Sequence, residues 1–382
     1  MKNQYVILTG SKNNAGDFFI KYRAKQLFKE LRPDRKIIDF NAWEAFDEEK
    51  IKTVNESKAL ILTGGPSLQK DMRPNIYKMT KNLDDIQIPI TSMGIGWKSA
   101  RGLWEDTYNY ELSHETIKLL ERINNSGYMS SVRDYHTLNC LRFKGFDNFL
   151  MTGCPAYYNL DYIYKDQKSL DSINKVAFSL GVSFIKSKNM ENLIKDNILS
   201  IRDYFSNKDF EVVFHHSLDR NKFLSTHNST AKHVDKHNEM ASWLEKNNIK
   251  YVDISGSAEN LITYYSDVDF HVGYRLHAHI CMSSTFKPSI MIAEDGRGMA
   301  SKDVIGGIVL RSVYKRREKL IDKVLSRLNQ NYDRIIPNDK IRFEIIKDIE
   351  YEGKTGFIRT KSIKNNIYNN FEIIKSFLLQ LP

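Results

Sequence analysis

Residues 270–282 read FHVGYRLHAHICM, and this stretch predicts the architecture of the chain. It begins as an apolar strand, passes through a tight turn at Gly273 and Tyr274, and continues as an apolar helix. A strand that leads straight into a helix is the repeating unit of a parallel sheet covered by helices on both faces. Arg275 and His277 fall at the turn, where the amino end of a helix favours negative charge.

The same alternation of β-branched runs and helical spacing extends over both halves of the chain. In the first half, strands are predicted at residues 5–9, 36–40, 59–63, 88–93, 129–132 and 148–151. In the second half, strands are predicted at residues 175–180, 210–215, 250–254, 268–272, 289–292 and 307–310. Helical spacing separates them, for example at residues 18–31, 112–123, 191–207 and 234–247. The predicted fold class is therefore α/β, with two Rossmann-like parallel-sheet domains and a helical tail.

The predicted domain limits follow from where this alternation stops. Residues 157–174 are polar and aromatic and lack both periods, so they are typical of a linker between domains at 1–160 and 172–312. After Arg311 the chain becomes basic, with helices predicted at 314–329 and 357–379 in an extension at 313–382. Ligands of open α/β sheets bind beyond the carboxyl ends of the strands, so the site is expected in loops that face a cleft between the domains.

Composition limits the class of protein. Of the 382 residues, 41% are hydrophobic, which is enough for two cores and excludes a mainly disordered chain. The net charge of +10 indicates an anionic partner, which could be nucleic acid, a membrane surface or a small anionic molecule. The three cysteines are far apart, which excludes a disulfide scaffold and a cysteine zinc cluster. No apolar run reaches the about 20 residues of a membrane helix, so a cytoplasmic protein is predicted.

Two glycine-containing loops follow predicted strands in the first half. In the loop at residues 10–17, Gly16 permits close backbone approach and the helix start offers free N–H groups to an anion or hydroxyl. The alternative is that Asn14 or Asp17 simply caps the helix. Gly64 and Gly65 form a tight turn with exposed amides, although a plain turn is the simpler interpretation of that motif taken alone. The loop at residues 10–17 lacks the patterns of a nucleotide-binding loop.

Two further junctions carry charged side chains. Arg133 falls at the end of a predicted strand, where its planar fork would clamp a carboxylate or phosphate, and Asp134 caps the next helix. His277 is placed to exchange a proton with a ligand held by Arg275. The neighbouring histidines His271 and His279 are interpreted as packing residues.

The remaining histidines do not predict a metal site. His233 and His237 have the i,i+4 spacing of a metal pair, but the segment is polar, so a solvated helix face is the favoured interpretation. His215 and His216 end a predicted strand and could border the cleft. No cluster of carboxylates suggests a bound divalent cation. We predict no metal and no cofactor.

In their order and context, these junctions resemble the polysaccharide pyruvyl transferase family. The resemblance rests on the short motifs at residues 14–17, 64–65, 131–134 and 275–278, and it extends from the first strand to about residue 311. Two departures are visible. Pro66 stands where a third glycine is frequent, and Asp295, Gly296 and Arg297 occupy a region where the family often has a lysine after an aspartate.

The resemblance implies a GT-B-like fold and a transferase that acts in capsule or exopolysaccharide biosynthesis. The implied donor is phosphoenolpyruvate, and the implied acceptor is a pair of sugar hydroxyls on a glycan that could be lipid-linked. The predicted catalytic residues are His277, as general acid, and Asp17, as base. Substrate contacts are predicted for Arg133, Arg275, Leu276, Asn14, Gly16, Gly64 and Gly65.

Two other functions stay open at this point. A GT-B glycosyltransferase would share the fold but use a nucleotide-activated sugar. A noncatalytic protein that binds anionic polysaccharide or nucleic acid ranks third, because the basic residues are dispersed and no recognition motif is present, so no nucleic-acid partner is predicted. The basic cluster at residues 315–319 could favour peripheral contact with the inner face of the membrane, and solubility explains it equally simply. The sequence leaves the oligomeric state open.

Overall fold

The first half of the chain folds around a parallel sheet. The structure is a computed structural model that describes residues 2–10, 15–164, 172–226, 230–317, 319–329 and 332–382. Strands pair in parallel in the order β2-β1-β3-β4, with bounds β1 Gln4–Thr9, β2 Lys36–Asn41, β3 Ala59–Thr63 and β4 Ile90–Met93. A parallel pair, β5 Ser130–Val132 and β6 Phe149–Met151, continues beside β4. Every residue of β1 and β3 is buried, as expected where both faces of a sheet are covered.

The second half contains a six-stranded parallel sheet. Its order is β12-β11-β10-β7-β8-β9, with bounds β7 Lys175–Ser179, β8 Asp209–Phe214, β9 Lys250–Asp253, β10 Phe270–Gly273, β11 Ser289–Ala293 and β12 Ile308–Arg311. This is the doubly wound Rossmann order, in which the strand order reverses between β7 and β10. Each strand predicted from the sequence is present, with ends displaced by at most two residues.

Helices connect the strands and cover both sheets. Their bounds are α1 Ala15–Leu31, α2 Glu48–Asn55, α3 Glu105–Tyr108, α4 His114–Asn124, α5 Tyr135–Arg142, α6 Leu160–Ile163, α7 Lys188–Tyr204, α8 Arg220–Thr226, α9 Ala231–Lys246, α10 Ala258–Ser266, α11 Leu276–Ser284 and α12 Gly296–Ile305. Side-chain oxygens cap α2, α4, α5, α7, α10 and α12, from Asp47, Ser113, Asp134, Ser187, Ser257 and Asp295. None of the helices in the described ranges is long and apolar enough to span a membrane.

The carboxyl-terminal extension differs from the predicted pair of helices. Strand β13, Val313–Arg316, pairs antiparallel with β14, Ile335–Pro337, so the helix predicted from residue 314 is wrong there. The partner strand lies about 20 residues away in sequence, so helical spacing does not reveal the pairing. Helices α13 Leu320–Leu328, α14 Ile341–Thr355 and α15 Ile358–Leu379 complete the chain.

Helix α15 returns to the first half of the protein. Its buried residues Ile367, Phe371 and Ile374 belong to the same hydrophobic core as strand β1. Arg32, at the end of α1, is 7% exposed and donates through Nη1 to the carbonyl oxygens of Leu378 (3.1 Å) and Leu381 (2.8 Å). The extension is therefore a packed part of the first half as well as a continuation of the second.

The predicted linker at 157–174 is partly packed. Tyr157 and Tyr158 are buried, and α6 forms one helical turn, whereas residues 165–171 lie outside the described ranges. The domain limits 1–160, 172–312 and 313–382 remain a proposal.

Two loops join the halves on one side of the cleft. The Gly296 N–H, at the start of α12, donates to the Ser99 carbonyl oxygen at 2.9 Å. Gly102 has a φ of +67°, and a Cβ added to it would lie 2.5 Å from the Gly296 Cα. Because glycine tolerates that φ and has no Cβ, the two backbones can touch. The two halves therefore contact each other directly at this point.

Replacing Arg32 tests the anchoring of α15. In Arg32→Ala the carbonyl oxygens of Leu378 and Leu381 lose their charged donor, so we expect the free energy of unfolding to fall by about 2–4 kcal/mol. Urea denaturation measures the change. Lys29→Ala, at an exposed position one turn earlier, is the matched control and should change stability by less than about 0.5 kcal/mol. Equal effects of the two variants would contradict the anchoring role.

Candidate active site

A cavity of about 120 Å³, here called the central cavity, lies between the carboxyl ends of the two sheets. Asp17, Pro66 and Arg133 line it from the first sheet, from the loops or helices after β1, β3 and β5. From the second sheet it is lined by residues after β7, β8, β10 and β11, namely Val182, His215, Tyr274, Arg275, Leu276, His277, Glu294, Asp295 and Arg297. The strand order changes direction between β1 and β3 and between β7 and β10, which is where open α/β sheets bind ligands.

Arg133 is held at the end of β5 by its neighbours. It is 5% exposed, and its Nε lies 3.4 Å from Asp134 Oδ2. Asp134 Oδ1 accepts from the Thr137 N–H at 2.7 Å, which caps α5. A Cβ on Gly96 would lie 1.9 Å from Arg133 Nε, so only glycine leaves room for the guanidinium. The buried Nη2 has no hydrogen-bond partner in the part of the chain that the structure describes.

Arg275 occupies the N-cap position of α11. Its backbone N–H donates to Ser179 Oγ at 3.0 Å, and its Nε donates to the Leu180 carbonyl oxygen at 2.6 Å, so β7 fixes its direction. Burial lowers the pKa of Arg275 to about 10, which leaves it charged at neutral pH. Its buried Nη2, like that of Arg133, lacks a partner among the described residues.

His277 lies in the first turn of α11, against the backbone of α1. A Cβ on Gly16 would lie 2.0 Å from His277 Nδ1, so the imidazole occupies the space that a larger residue would fill. Burial, followed by the charges of Arg133, Arg297 and Arg275, lowers the pKa of His277 to about 3. The ring is therefore neutral at pH 7. Its buried Nε2 has no partner within the described ranges.

Arg297 is a third arginine of the cavity, and the sequence analysis did not select it. Asp295 caps α12 by accepting from the Arg297 N–H at 3.0 Å, and it also binds the guanidinium through Nε (3.1 Å) and Nη2 (2.7 Å). This ion pair raises the pKa of Arg297. Burial alone would raise the pKa of Asp295, but Arg297 lowers it overall. Arg297 follows β11 closely, as Arg133 follows β5, and that shared position was the available signal.

Glu294 is a second residue that the sequence analysis missed. Its carboxylate accepts from the N–H groups of Val182 (3.1 Å) and Ser183 (2.9 Å), which orders the loop after β7. A Cβ on Gly181 would lie 2.2 Å from Glu294 Oε1, so this loop also depends on a glycine. Because its acceptors are engaged by the backbone, Glu294 supports the loop rather than offering a free carboxylate to the cavity.

The other predicted residues fall into three groups. Asp17 and Leu276 line the central cavity. Gly64 and Gly65 line an adjoining space of about 210 Å³, the second cavity, whose wall also includes Trp43 and which shares Asp17 and Pro66 with the central cavity. Both glycines have left-handed φ values, +61° and +74°, in agreement with a tight turn. Asn14 lies outside the described residues.

The other histidines of the second half make packing or hydrogen-bonding contacts with their neighbours. His271 and His279 are buried, and both contact Ser289 Oγ at 2.8 Å, as packing residues would. His215 lines the central cavity, and its Nε2 lies 2.8 Å from the Tyr265 hydroxyl. His237 is fully buried, so the solvated helix face predicted for His233 and His237 is wrong for that residue.

The cavity combines positive charge with unused donors. Three buried nitrogens have no hydrogen-bond partner among the described residues, namely Arg133 Nη2, Arg275 Nη2 and His277 Nε2, and all three side chains line the central cavity. Buried donors without partners are rare in folded proteins, and charged donors bind anionic oxygens most strongly. The arrangement therefore fits a small anion that carries several acceptor oxygens.

Comparison with solved structures establishes the fold. The UDP-GlcNAc 2-epimerase from Neisseria meningitidis, bound to UDP-GlcNAc, is 10% identical and aligns over 98% of this chain and 99% of its own, with a TM-score of 0.52. The structure of S. aureus MnaA with UDP is 11% identical over 100% of this chain and 99% of its own, with a TM-score of 0.50. At these identities the similarity confirms the predicted GT-B-like architecture and nothing about substrates.

Comparison at the level of sequence identifies the family. No curated protein sequence is significantly similar to the chain. The sequence profile of the polysaccharide pyruvyl transferase family, however, matches residues 14–296, which is more than half of the chain. The match includes the motifs that carry Arg133, Arg275 and His277. The resemblance predicted from the loops is confirmed, and the chain belongs to the polysaccharide pyruvyl transferase family.

Proposed function

We propose that the protein transfers the pyruvyl group of phosphoenolpyruvate to two hydroxyls of a glycan and forms a cyclic ketal. The observation that carries this proposal is the meeting, in one small cavity, of nitrogens of Arg133, Arg275 and His277 that have no partner in the described part of the chain. Its small volume of about 120 Å³ suits a compact dianion. Pockets for larger ligands begin at about 300 Å³, so a nucleotide sugar would have to extend beyond the central cavity.

The donor would be held by its two anionic groups. Phosphoenolpyruvate carries a phosphate and a carboxylate, and a guanidinium binds either through two parallel hydrogen bonds. Within the described ranges, Arg133 and Arg275 each keep a nitrogen without a partner that could form such a bond. Arg297 is already paired with Asp295, so its role in the proposal is to add positive charge beside the donor.

The general acid in the proposal is His277, and it acquires its proton with the donor. In the unliganded cavity the ring is neutral, because burial and three arginines oppose its positive charge. A bound dianion offsets those arginines and raises the pKa of His277, so the ring binds a proton when the donor binds. The imidazolium then protonates the methylene carbon of phosphoenolpyruvate and makes the adjacent carbon electrophilic.

The remaining steps balance without a cofactor. The first acceptor oxygen bonds to the electrophilic carbon, the bond from that carbon to the phosphate oxygen breaks, and the second acceptor oxygen closes the ketal. Two hydroxyl protons are released: one replaces the proton that His277 gave to the methyl group, and the other leaves with phosphate. Asp17 lines both cavities, so we assign it the role of the base that accepts a hydroxyl proton.

The second cavity is the proposed acceptor site. It is lined by Trp43, Tyr77, Gln69 and Ser67, which combine aromatic rings with hydrogen-bonding groups, as small-molecule sites commonly do. Its shared wall with the central cavity would bring a sugar hydroxyl to the donor. The turn at Gly64 and Gly65 would place its backbone amides against the acceptor.

The carboxyl-terminal extension suggests where in the cell the protein encounters its acceptor. Apolar residues of α13 are exposed, including Leu320 (77%), Ile321 (62%) and Leu328 (80%), and the preceding segment contains Lys315, Arg316, Arg317 and Lys319. A short helix with an exposed apolar face and basic neighbours is suited to an anionic membrane surface. The cytoplasmic leaflet carries that charge. The proposal therefore places the protein at the inner face of the membrane, with a lipid-linked glycan as acceptor.

Ligand binding tests the donor. We expect phosphoenolpyruvate, and not UDP-GlcNAc, to raise the melting temperature, and incubation with phosphoenolpyruvate and glycans to yield a product with the pyruvyl mass increment. Arg133→Ala should weaken phosphoenolpyruvate binding by about 2–4 kcal/mol, because it removes a buried partner of the anion. Arg142→Ala, at an exposed position in α5, is the matched control. Stabilisation by UDP-GlcNAc alone would favour a nucleotide-sugar enzyme instead.

His277→Gln tests the general acid. Phosphate release should fall by about 10²–10⁴-fold while phosphoenolpyruvate still binds, because glutamine cannot supply the proton. Near pH 7, between the low pKa of free His277 and its raised pKa in the complex, binding should take up a proton. Calorimetry in buffers of different ionisation enthalpy measures that uptake, which His277→Gln should abolish.

Gly16→Ala complements that variant, because its methyl group would displace the His277 ring without removing it. Phosphate release should also fall in Gly16→Ala, with circular dichroism as the check on folding. Unchanged proton uptake in His277→Gln would remove His277 from the acid step. Loss of phosphoenolpyruvate binding in that variant would assign His277 to donor positioning.

Vesicle co-sedimentation tests the membrane contact. The double variant Ile321→Asp, Leu328→Asp should lose binding to vesicles that contain phosphatidylglycerol, while phosphate release with a soluble acceptor is unchanged. Phe343→Asp, at an exposed apolar position in α14, is the matched control. Absence of wild-type binding to anionic vesicles would refute the contact. A dimer that dissociates only in the double variant would instead assign the apolar face to a second copy of the chain.

A further inference from the structure

Three histidines converge beside the second sheet, outside the two cavities. His216 follows β8, and His233 and His237 lie on α9. One ring nitrogen from each lies within 4.8 Å of the others. In the described ranges, this is the one group of three or more histidine, cysteine, aspartate or glutamate side chains close enough to hold a metal ion.

The shortest of the three distances already suits tetrahedral coordination, and the wider ones, up to 4.8 Å, would shorten when an ion binds. His216 Nδ1 and His233 Nε2 are 3.3 Å apart. Two imidazole nitrogens that each bind a tetrahedral Zn²⁺ at about 2.0–2.1 Å lie about 3.3–3.4 Å from one another. The same separation would also allow one ring to donate a hydrogen bond to the other, so a direct test must distinguish a shared proton from a shared cation.

His237 shows the support that metal-binding histidines usually have. Its Nδ1 lies 2.9 Å from the backbone carbonyl oxygen of His233, an acceptor, so Nδ1 carries the proton. The lone pair of the neutral ring is then on Nε2, which is the form that binds a metal. The i,i+4 spacing places His233 and His237 on one side of α9, with their ring centroids 4.7 Å apart and their planes 7° from parallel.

Aromatic side chains surround the three histidines. Phe184 and Phe214 contact His237, with ring centroids 5.4 and 5.8 Å away, and Phe223 contacts His233 at 4.8 Å. An apolar surrounding restricts water and fixes the ring orientations, both of which favour a defined ligand set. The sequence pair at 233 and 237 did not reveal this, because the third histidine comes from the end of a strand 17 residues earlier.

We propose that His216, His233 and His237 bind one transition-metal ion of the class that imidazole prefers, with Zn²⁺ as the foremost candidate. The ion would tie the loop after β8 to α9, and its fourth position would be taken by water or another donor. His216 directly follows His215, which lines the central cavity, so the ion would stabilise a loop at the edge of the cleft. This proposal is independent of the pyruvyl transfer reaction.

Metal titration of the full chain, without a histidine tag and after dialysis against a chelator, tests the site. Wild type should bind one equivalent of Zn²⁺ by calorimetry, and Zn²⁺ should raise its melting temperature. His233→Ala should weaken binding by at least about 10–100-fold, the cost of losing even an outer partner of a metal ligand. His233 is half-buried, so this variant is better tolerated than one at the fully buried His237. The matched control is His114→Ala, at an exposed histidine of α4, which should bind like wild type.

A second probe and variant keep the outcome interpretable. Co²⁺ should give the intense visible absorption of a four-coordinate site in wild type and lose it in His233→Ala. If His233→Ala does not fold by circular dichroism, His216→Gln takes its place, with the same expected loss. Less than one equivalent of Zn²⁺ in wild type would overturn the proposal and leave the shared hydrogen bond. Equal Zn²⁺ affinity in wild type and the variant would place the ion elsewhere.

Discussion

The active-site cleft depends on the close approach of α1 to His277, which the missing side chain of Gly16 permits. Gly16 belongs to the helix that follows β1, and His277 to the helix that follows β10, so the contact joins the two sheets at the ends where ligands bind. Any Cβ at residue 16 would lie 2.0 Å from the imidazole. The amino ends of both helices therefore meet in one place, and their partial positive charges add to those of the arginines.

The concentration of positive charge is tolerated because each arginine has an acceptor of the protein beside it. Asp295 pairs fully with Arg297, Asp134 lies beside Arg133, and the Leu180 carbonyl oxygen accepts from Arg275. The nitrogens that remain unpartnered, together with the depressed pKa of His277, make the unliganded cavity electrostatically unfavourable for any further cation. A dianion reverses both effects at once. In the proposed reaction, binding of the donor and protonation of His277 are therefore one event.

The strand and helix pattern was predictable because most strands are short runs rich in apolar and β-branched residues, separated by segments with helical spacing. The loops at the strand ends then indicated Asp17, Arg133, Arg275, Leu276 and His277, which all line the central cavity. The roles of Arg297 and Glu294 were not predicted, because they depend on contacts seen only in the structure. Arg297 pairs with Asp295, and Glu294 accepts from the loop after β7. Strand β13 was not predicted, because its partner strand β14 is distant in sequence. The cluster of three histidines was not predicted for the same reason. Periodicity identifies one face of a helix, but it cannot show which strand end lies against that face.

The cleft contains two adjoining cavities, and this division suggests how the same fold can bind different substrates. In the proposed function, the central cavity of about 120 Å³ would hold a small anion, and the second cavity of about 210 Å³ offers aromatic and polar contacts. Asp17 and Pro66 line both cavities, so the two adjoin at these residues. Solved structures of the same fold share about a tenth of their residues with this chain. The sheets set only the position of the cleft, so the loops must determine which donor and which acceptor bind. In this chain, the arginine-rich loops of the second sheet lie opposite the glycine-rich loops of the first.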